Sequence, residues 1–171
     1  MAIENTLSGE TGGKAGTACF IGHWSLAWGQ MEPLTQKLDD TVAALAKRGT
    51  TDFLTGAAGG FEQLAALAVL KAQEQNADIK LIIVSPCLNQ DEGWGDADKQ
   101  TYKRILGGAD HIVYATEQPN TDGCKAEQYR LLTGRSGVCV AYMKHGHSGT
   151  SQTVRLASEL GLTVINLAVN L

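Results

Sequence analysis

Residues 52–84 read DFLTGAAGGFEQLAALAVLKAQEQNADIKLIIV. A short run, 52–55, breaks into the turn Gly56-Ala57-Ala58-Gly59-Gly60. The Ala- and Leu-rich stretch 61–75 has the composition of a helix. The run IKLIIV, 79–84, is continuously apolar apart from one Lys, and Pro86 stops it. Strand, glycine turn, helix and strand within about thirty residues make a βαβ unit. A strand without polar alternation is covered on both faces, which calls for helices on either side of a parallel sheet.

The same alternation extends in both directions. Upstream, 17–21 is a short apolar strand running into Gly22-His23. A helix is expected over 31–48, with Leu34, Leu38, Val42 and Leu45 on one face. Lys47 and Arg48 suit the negative end of its dipole, and Gly49 ends it. Downstream, a helix over 96–106 would be capped by Asp96 and would bury Tyr102, Ile105 and Leu106. Then follow a strand at 110–114, a weakly patterned helix at 124–133 and a buried strand at 137–142. A helix at 149–160, with Val154, Ala157 and Leu160 inward, and a strand at 162–167 close the chain. The expected fold is therefore α/β: one Rossmann-like, doubly wound domain over 17–171, with a mainly parallel sheet of about six strands flanked by helices.

Residues 1–16 are polar, glycine-punctuated and aperiodic, and are expected to form a disordered tail. The tail contains Gly12-Gly13-Lys14 but not a phosphate loop. Ser8 stands at the pattern's first Gly, and Ala15 offers no hydroxyl to magnesium.

Composition narrows the function. The chain has 171 residues, room for one ordinary domain. Hydrophobic residues at 43% and charged residues at 19% suit a packed core rather than wholesale disorder. Fourteen Lys and Arg against 18 Asp and Glu give a net charge of −4, with no basic stripe, which argues against a duplex-binding surface. The four cysteines are Cys19, Cys87, Cys124 and Cys139; none is at C-x-x-C spacing, so a zinc ribbon is not expected. Cys19 and Cys139 sit in apolar runs and read as small core residues. With no apolar leader and no apolar run long enough to span a bilayer, a cytoplasmic protein with reduced thiols and no membrane partner is expected.

In an open parallel sheet, ligands bind at the carboxyl ends of the strands, where strand order reverses. Four loops belong there. Gly22-His23-Trp24 follows the first strand, and His23 would face the crevice. The turn containing Gly56, Gly59 and Gly60 opens a helix, so its N–H groups and the helix dipole suit an anion. Glu62, in that helix's first turn, is the candidate catalytic carboxylate, or an acceptor for ribose hydroxyls or a base. The loop after the third strand carries Pro86, Gln90 and Trp94, an amide and a flat ring able to pair with and stack on a base. Ser148-Gly149-Thr150 opens the last helix, and Gly149 and Thr150 would offer N–H groups and a side-chain hydroxyl to phosphate. His145 and His147 lack a third ligand at metal-binding spacing, so no metal site is expected.

Together these loops resemble the SLOG superfamily, the Rossmann-like group containing the DprA/Smf and lonely-guy proteins, and most closely its YpsA-like branch. The matching stretches are CFIGH (19–23), LTGAAGGFEQLAALAVL (54–70), KLIIVSPCLNQDEGW (80–94), DKQTYKRILGGAD (98–110) and HSGTSQT (147–153). The resemblance implies a domain that binds a nucleotide or nucleotide-derived ligand, such as one carrying ADP-ribose. It implies that Gly60 and Glu62 line the site and that Ser148-Gly149-Thr150 is the family's Gly-Gly-Thr turn. Three departures stand out. Trp24 replaces the Arg of a Gly-His-Arg pattern, removing a bidentate anion partner. Residues 129–135, YRLLTGR, lack the Arg-Asn and Asp often found before the fifth strand. Thr153 stands where the lonely-guy enzymes carry a catalytic Glu, and cannot act as an acid or base near neutral pH.

The leading expectation is a nucleotide-ligand sensor or weak enzyme. The resemblance suggests two alternatives: a phosphoribohydrolase acting on nucleotides through Glu62, and a DNA-associated module. The superfamily often self-associates, and Trp24 and Trp28 would suit a homo-oligomeric contact.

Overall fold

The structure, a computed structural model, describes residues 13–120 and 122–171. The chain runs β1 (Thr17–Gly22), α1 (Met31–Lys47), β2 (Asp52–Thr55), α2 (Gly60–Gln73), β3 (Lys80–Ser85), α3 (Asp96–Gly108), β4 (His111–Tyr114), α4 (Cys124–Gly134), β5 (Val138–Tyr142), α5 (Gly149–Glu159) and β6 (Thr163–Asn166). The six strands form one sheet in the order β4-β3-β2-β1-β5-β6. All five strand pairings are parallel. The order runs outward from β1 to β4, then restarts at β5 on the other side of β1. That reversal between β1 and β5 is the switch point of a doubly wound sheet.

Right-handed crossovers explain the layers. Moving outward from β1, they put α1, α2 and α3 on one face; moving back, they put α4 and α5 on the other. The two cores record this. Phe20, Phe53, Leu81, Ile83 and Tyr142 pack under α1–α3. Cys19, Ile21, Leu54, Ile82 and Cys139 pack under α4 and α5. Cys19 and Cys139 are register partners on β1 and β5 and are fully buried, as their apolar runs predict. Above the first core the aromatic rings continue to the carboxyl end of the sheet. Phe20 and Phe53 have centroids 6.0 Å apart, and Phe61 and Tyr142 5.7 Å. Each such ring contributes about 1.5–3 kcal/mol by burial.

Local details differ from the sequence reading at three places. The cap of α3 is Gly95, and Asp96 is its first helical residue, where it still favours the positive end of the dipole. Leu160 follows α5 and is 53% exposed rather than inward. Of the expected tail, 1–12 lies outside the described residues. Lys14–Gly16 form a short 3-10 turn, tied to the sheet by the N–H of Thr51 donating to Gly16 O at 3.0 Å. Among the described residues no helix is long and apolar enough to cross a membrane.

Candidate functional site

The loops after β1, β2 and β3 meet at the carboxyl end of the sheet, and Gly56 lies at their centre. Its carbonyl accepts from Gln90 Nε2 at 3.0 Å. A Cβ at Gly56 would fall 2.8 Å from Glu62 Oε2 and 2.3 Å from Gln128 Nε2. A glycine is needed here because two polar side chains, Glu62 and Gln128, use the space a methyl group would fill. Glu62 is 6% exposed, and its Oε2 accepts from Ala58 N at 3.2 Å. Burial pushes its carboxyl up to about 7, opposed by the Ala58 N–H and the charge of Lys125. Glu62 therefore exchanges its proton near neutral pH, as a general acid or base must. Tyr129 feels this neighbour. Burial first, and the Glu62 charge second, push its phenol up to about 12.

Gln128 and Tyr129 come from α4, on the far side of the sheet, and the sequence reading missed them as site residues. Gln128 is buried and donates from Nε2 to Val84 O at 2.7 Å. Its only sequence signal is a polar residue within a weakly patterned helix.

The β2 turn behaves differently from the anion loop expected of it. Gly59 and Gly60 both have positive φ, 68° and 47°. A Cβ at Gly60 would lie 1.8 Å from the carbonyl oxygen of Trp24, and one at Gly59 2.5 Å from the Trp24 ring. The N–H of Phe61, in the first turn of α2, donates to His23 O at 3.2 Å. The glycines thus admit the chain's own β1 loop, and a first-turn donor of α2 already has an acceptor. Gly22 also serves packing, because a Cβ there would strike the Phe61 ring at 2.2 Å.

Trp24, read from sequence as a missing Arg and a candidate oligomer contact, roofs this turn. Its ring meets Trp94 edge-on at 5.0 Å, and Trp94 meets Tyr102 at 5.2 Å. Pro86 is fixed through its carbonyl, which accepts from Thr116 Oγ1 at 3.2 Å.

His23 joins the β1 end to β5. Its Nε2 accepts from Lys144 N at 3.0 Å, and its ring lies 5.8 Å from that of His145. Burial, then the charges of His145 and Lys144, hold its pKa below the usual range. A neutral ring is what an accepting Nε2 requires.

The β5 loop leads to α5. Ser148 caps this helix, its Oγ accepting from Ser151 N at 3.1 Å while Ser151 Oγ accepts from Ser148 N at 2.9 Å. The Ser148 hydroxyl oxygen is therefore engaged in the cap. Thr153 Oγ1 donates to Gly149 O at 2.9 Å. The N–H groups of Gly149 and Thr150 have no acceptor among the described residues. A Cβ at Gly149 would meet nothing within 4 Å. No hydrogen bond among the described residues joins this turn to Glu62.

This site lies on a chain with clear relatives. The YpsA family model, described as the YspA SLOG family, matches residues 23–158. The chain belongs to this SLOG family. Among curated relatives, the SPbeta prophage-derived protein YoqJ of Bacillus subtilis is 34% identical over 90 residues, covering 50% of this chain and 53% of YoqJ. A UPF0398 protein of Halalkalibacterium halodurans is 29% identical over 86 residues, covering 50% of this chain and 46% of the relative. The chain thus spans about half the length of the curated relatives it matches. Among solved structures, DNA processing protein A of Helicobacter pylori, described with a single-stranded DNA binding mode, superposes with a TM-score of 0.62 at 21% identity. That match covers 90% of this chain and 66% of the other. DprA of Streptococcus pneumoniae gives 0.63 at 18% identity, covering 86% and 48%. These likenesses establish the SLOG protein's Rossmann-like fold.

Proposed function

We propose that this SLOG protein binds a nucleotide or nucleotide-derived ligand, with a phosphate on the first turn of α5 and the sugar or base toward Glu62, Gln90 and Gln128. The observation that carries the reading is the open first turn of α5, where a Cβ at Gly149 would meet nothing while one at Gly60 would strike the Trp24 carbonyl. The Gly149 and Thr150 N–H groups have no acceptor among the described residues, and they stand after β5, beside the switch point. Glu62, buried and holding a single hydrogen bond from Ala58 N, supports a hydroxyl or amino group as its partner.

A thermal-shift series with nucleoside phosphates, NAD and ADP-ribose tests this. Ligand at about 100 times Kd should add about 2.7 kcal/mol. Gly149→Pro removes one first-turn N–H at a position where proline is tolerated, and should abolish the shift while leaving the helix intact. A Gly149→Pro protein that responds like the parent removes α5 from the site.

A second reading is hydrolysis of an N-glycosidic bond, with Glu62 as the acid or base. Its support is the Glu62 pKa of about 7. Release of ribose 5-phosphate from nucleoside monophosphates, lost in Glu62→Gln while binding survives, would establish it. DNA association, named for the Helicobacter neighbour, finds little support in a net charge of −4.

A further inference from the structure

The opposite edge of the sheet holds a buried acid that the crevice does not use. Asp52 opens β2 and is 5% exposed. Its Oδ1 accepts from Thr51 Oγ1 at 3.3 Å. Its Oδ2 is shielded from solvent and has no hydrogen-bond partner among the described residues. Buried carboxylate oxygens almost always have donors, because the lost hydration must be replaced. An orphaned one beside a cavity therefore points to a missing donor.

The cavity is there. Asp52 lines a cleft of about 290 Å³ on the α4–α5 side of the sheet. Leu54 and Ile82 supply aliphatic walls, and Thr17 and Gly134 complete the inner rim. Lys14 and Arg135 also line it, and neither forms a salt bridge among the described residues. The cleft reaches Gly134, the last residue of α4.

This charge pattern selects one ligand class. A simple cation would satisfy Asp52 but face Lys14 and Arg135. A simple anion would face Asp52. An apolar molecule would leave Oδ2 unpaired. We propose that the cleft binds a small zwitterion of the α-amino acid class, independently of the nucleotide reading of the crevice. The ammonium donates to Asp52 Oδ2 after a small rotation of that side chain. The carboxylate lies between Arg135 and Lys14, and an aliphatic side chain packs on Leu54 and Ile82.

The test is NMR titration of the full chain with L-leucine. Saturable shifts are expected at the amides of Thr17, Asp52, Leu54 and Arg135, with those of Glu62 and Gly149 unmoved. Isoamylamine and 4-methylvalerate, which each keep one charge, should bind at least about tenfold more weakly. Asp52→Asn should lose about tenfold in affinity or more. Arg135→Ala, at a partly exposed side chain, should weaken binding severalfold without disturbing the fold, and decides the matter should Asp52→Asn not fold. No shift at these amides with L-leucine at about 20 mM, a concentration well above a millimolar Kd, overturns the proposal. Equal binding of isoamylamine and L-leucine overturns it in favour of a cation site.

Discussion

The N-termini of α2 and α5 carry the same sequence signal and reach opposite physical states. Both follow a strand, both open with small residues, and both sit at the carboxyl end of the sheet. At α2 the chain fills its own turn. The His23 carbonyl accepts from Phe61 N, the Trp24 carbonyl crosses Gly60, and the Trp24 ring covers Gly59. At α5 the cap is local, made by Ser148 and Ser151, and nothing crosses Gly149. A glycine-rich helix start is therefore an invitation to any acceptor that can approach, and a neighbouring loop can answer it before a ligand does. Which of the two holds depends on what the adjacent strand-end loop contains.

Four measurements would break or sharpen this contrast. Gly60→Ala should be the most damaging change, since the new Cβ would lie 1.8 Å from the Trp24 carbonyl oxygen at a φ of 47°. A loss of about 3 kcal/mol or more in urea unfolding is expected. A loss below about 1 kcal/mol would mean that the β1 loop does not close α2.

The polar half of the closed side is tested by pH. The Glu62 carboxyl holds its proton to about 7 in the folded chain, against 4.5 in the unfolded one. Between these values the folded state binds more protons, so stability is full below 4.5 and falls as pH rises toward 7. The loss across that window is about 3 kcal/mol. In Glu62→Gln that decline should vanish; an unchanged pH profile would place the carboxyl in solvent.

The open side predicts smaller effects. Ser148→Ala removes the α5 cap and should cost about 1 kcal/mol. Gly149→Ala should be neutral or stabilising by up to about 1 kcal/mol, because nothing beyond its chain neighbours and its own helix backbone lies within 4 Å of the added methyl. If Gly149→Ala instead destabilised as Gly60→Ala does, the two helix starts would be alike after all.

Much of this architecture is legible in the residues. The runs at 52–55 and 79–84 are β2 and β3 to within a residue, because buried strands keep an unbroken apolar pattern. The spacing of Leu34, Leu38, Val42 and Leu45 gives α1 its buried face. His23, Glu62, Gln90 and Trp94 were recognisable as residues of strand-end loops, since topology alone puts such loops at one edge. Gln128 and Tyr129 were not, because a single polar contact made by a helix on the far face leaves no periodic trace. Trp24 read as a deficit, and its work as a roof depends on Gly59 and Trp94 coming beneath and beside it.

Taken by itself, the sequence determined the parallel sheet, the order of its elements and the edge at which the glycine-rich loops collect. Each of those follows from local periodicity and from the handedness of βαβ crossovers, which act within one unit of the chain. Only the tertiary structure decided that α2 is closed and α5 open, that Glu62 is buried enough to hold a proton near neutrality, and that Asp52 lacks a donor. Those outcomes depend on which atoms arrive from distant segments, and burial and close approach between such atoms have no counterpart in residue order.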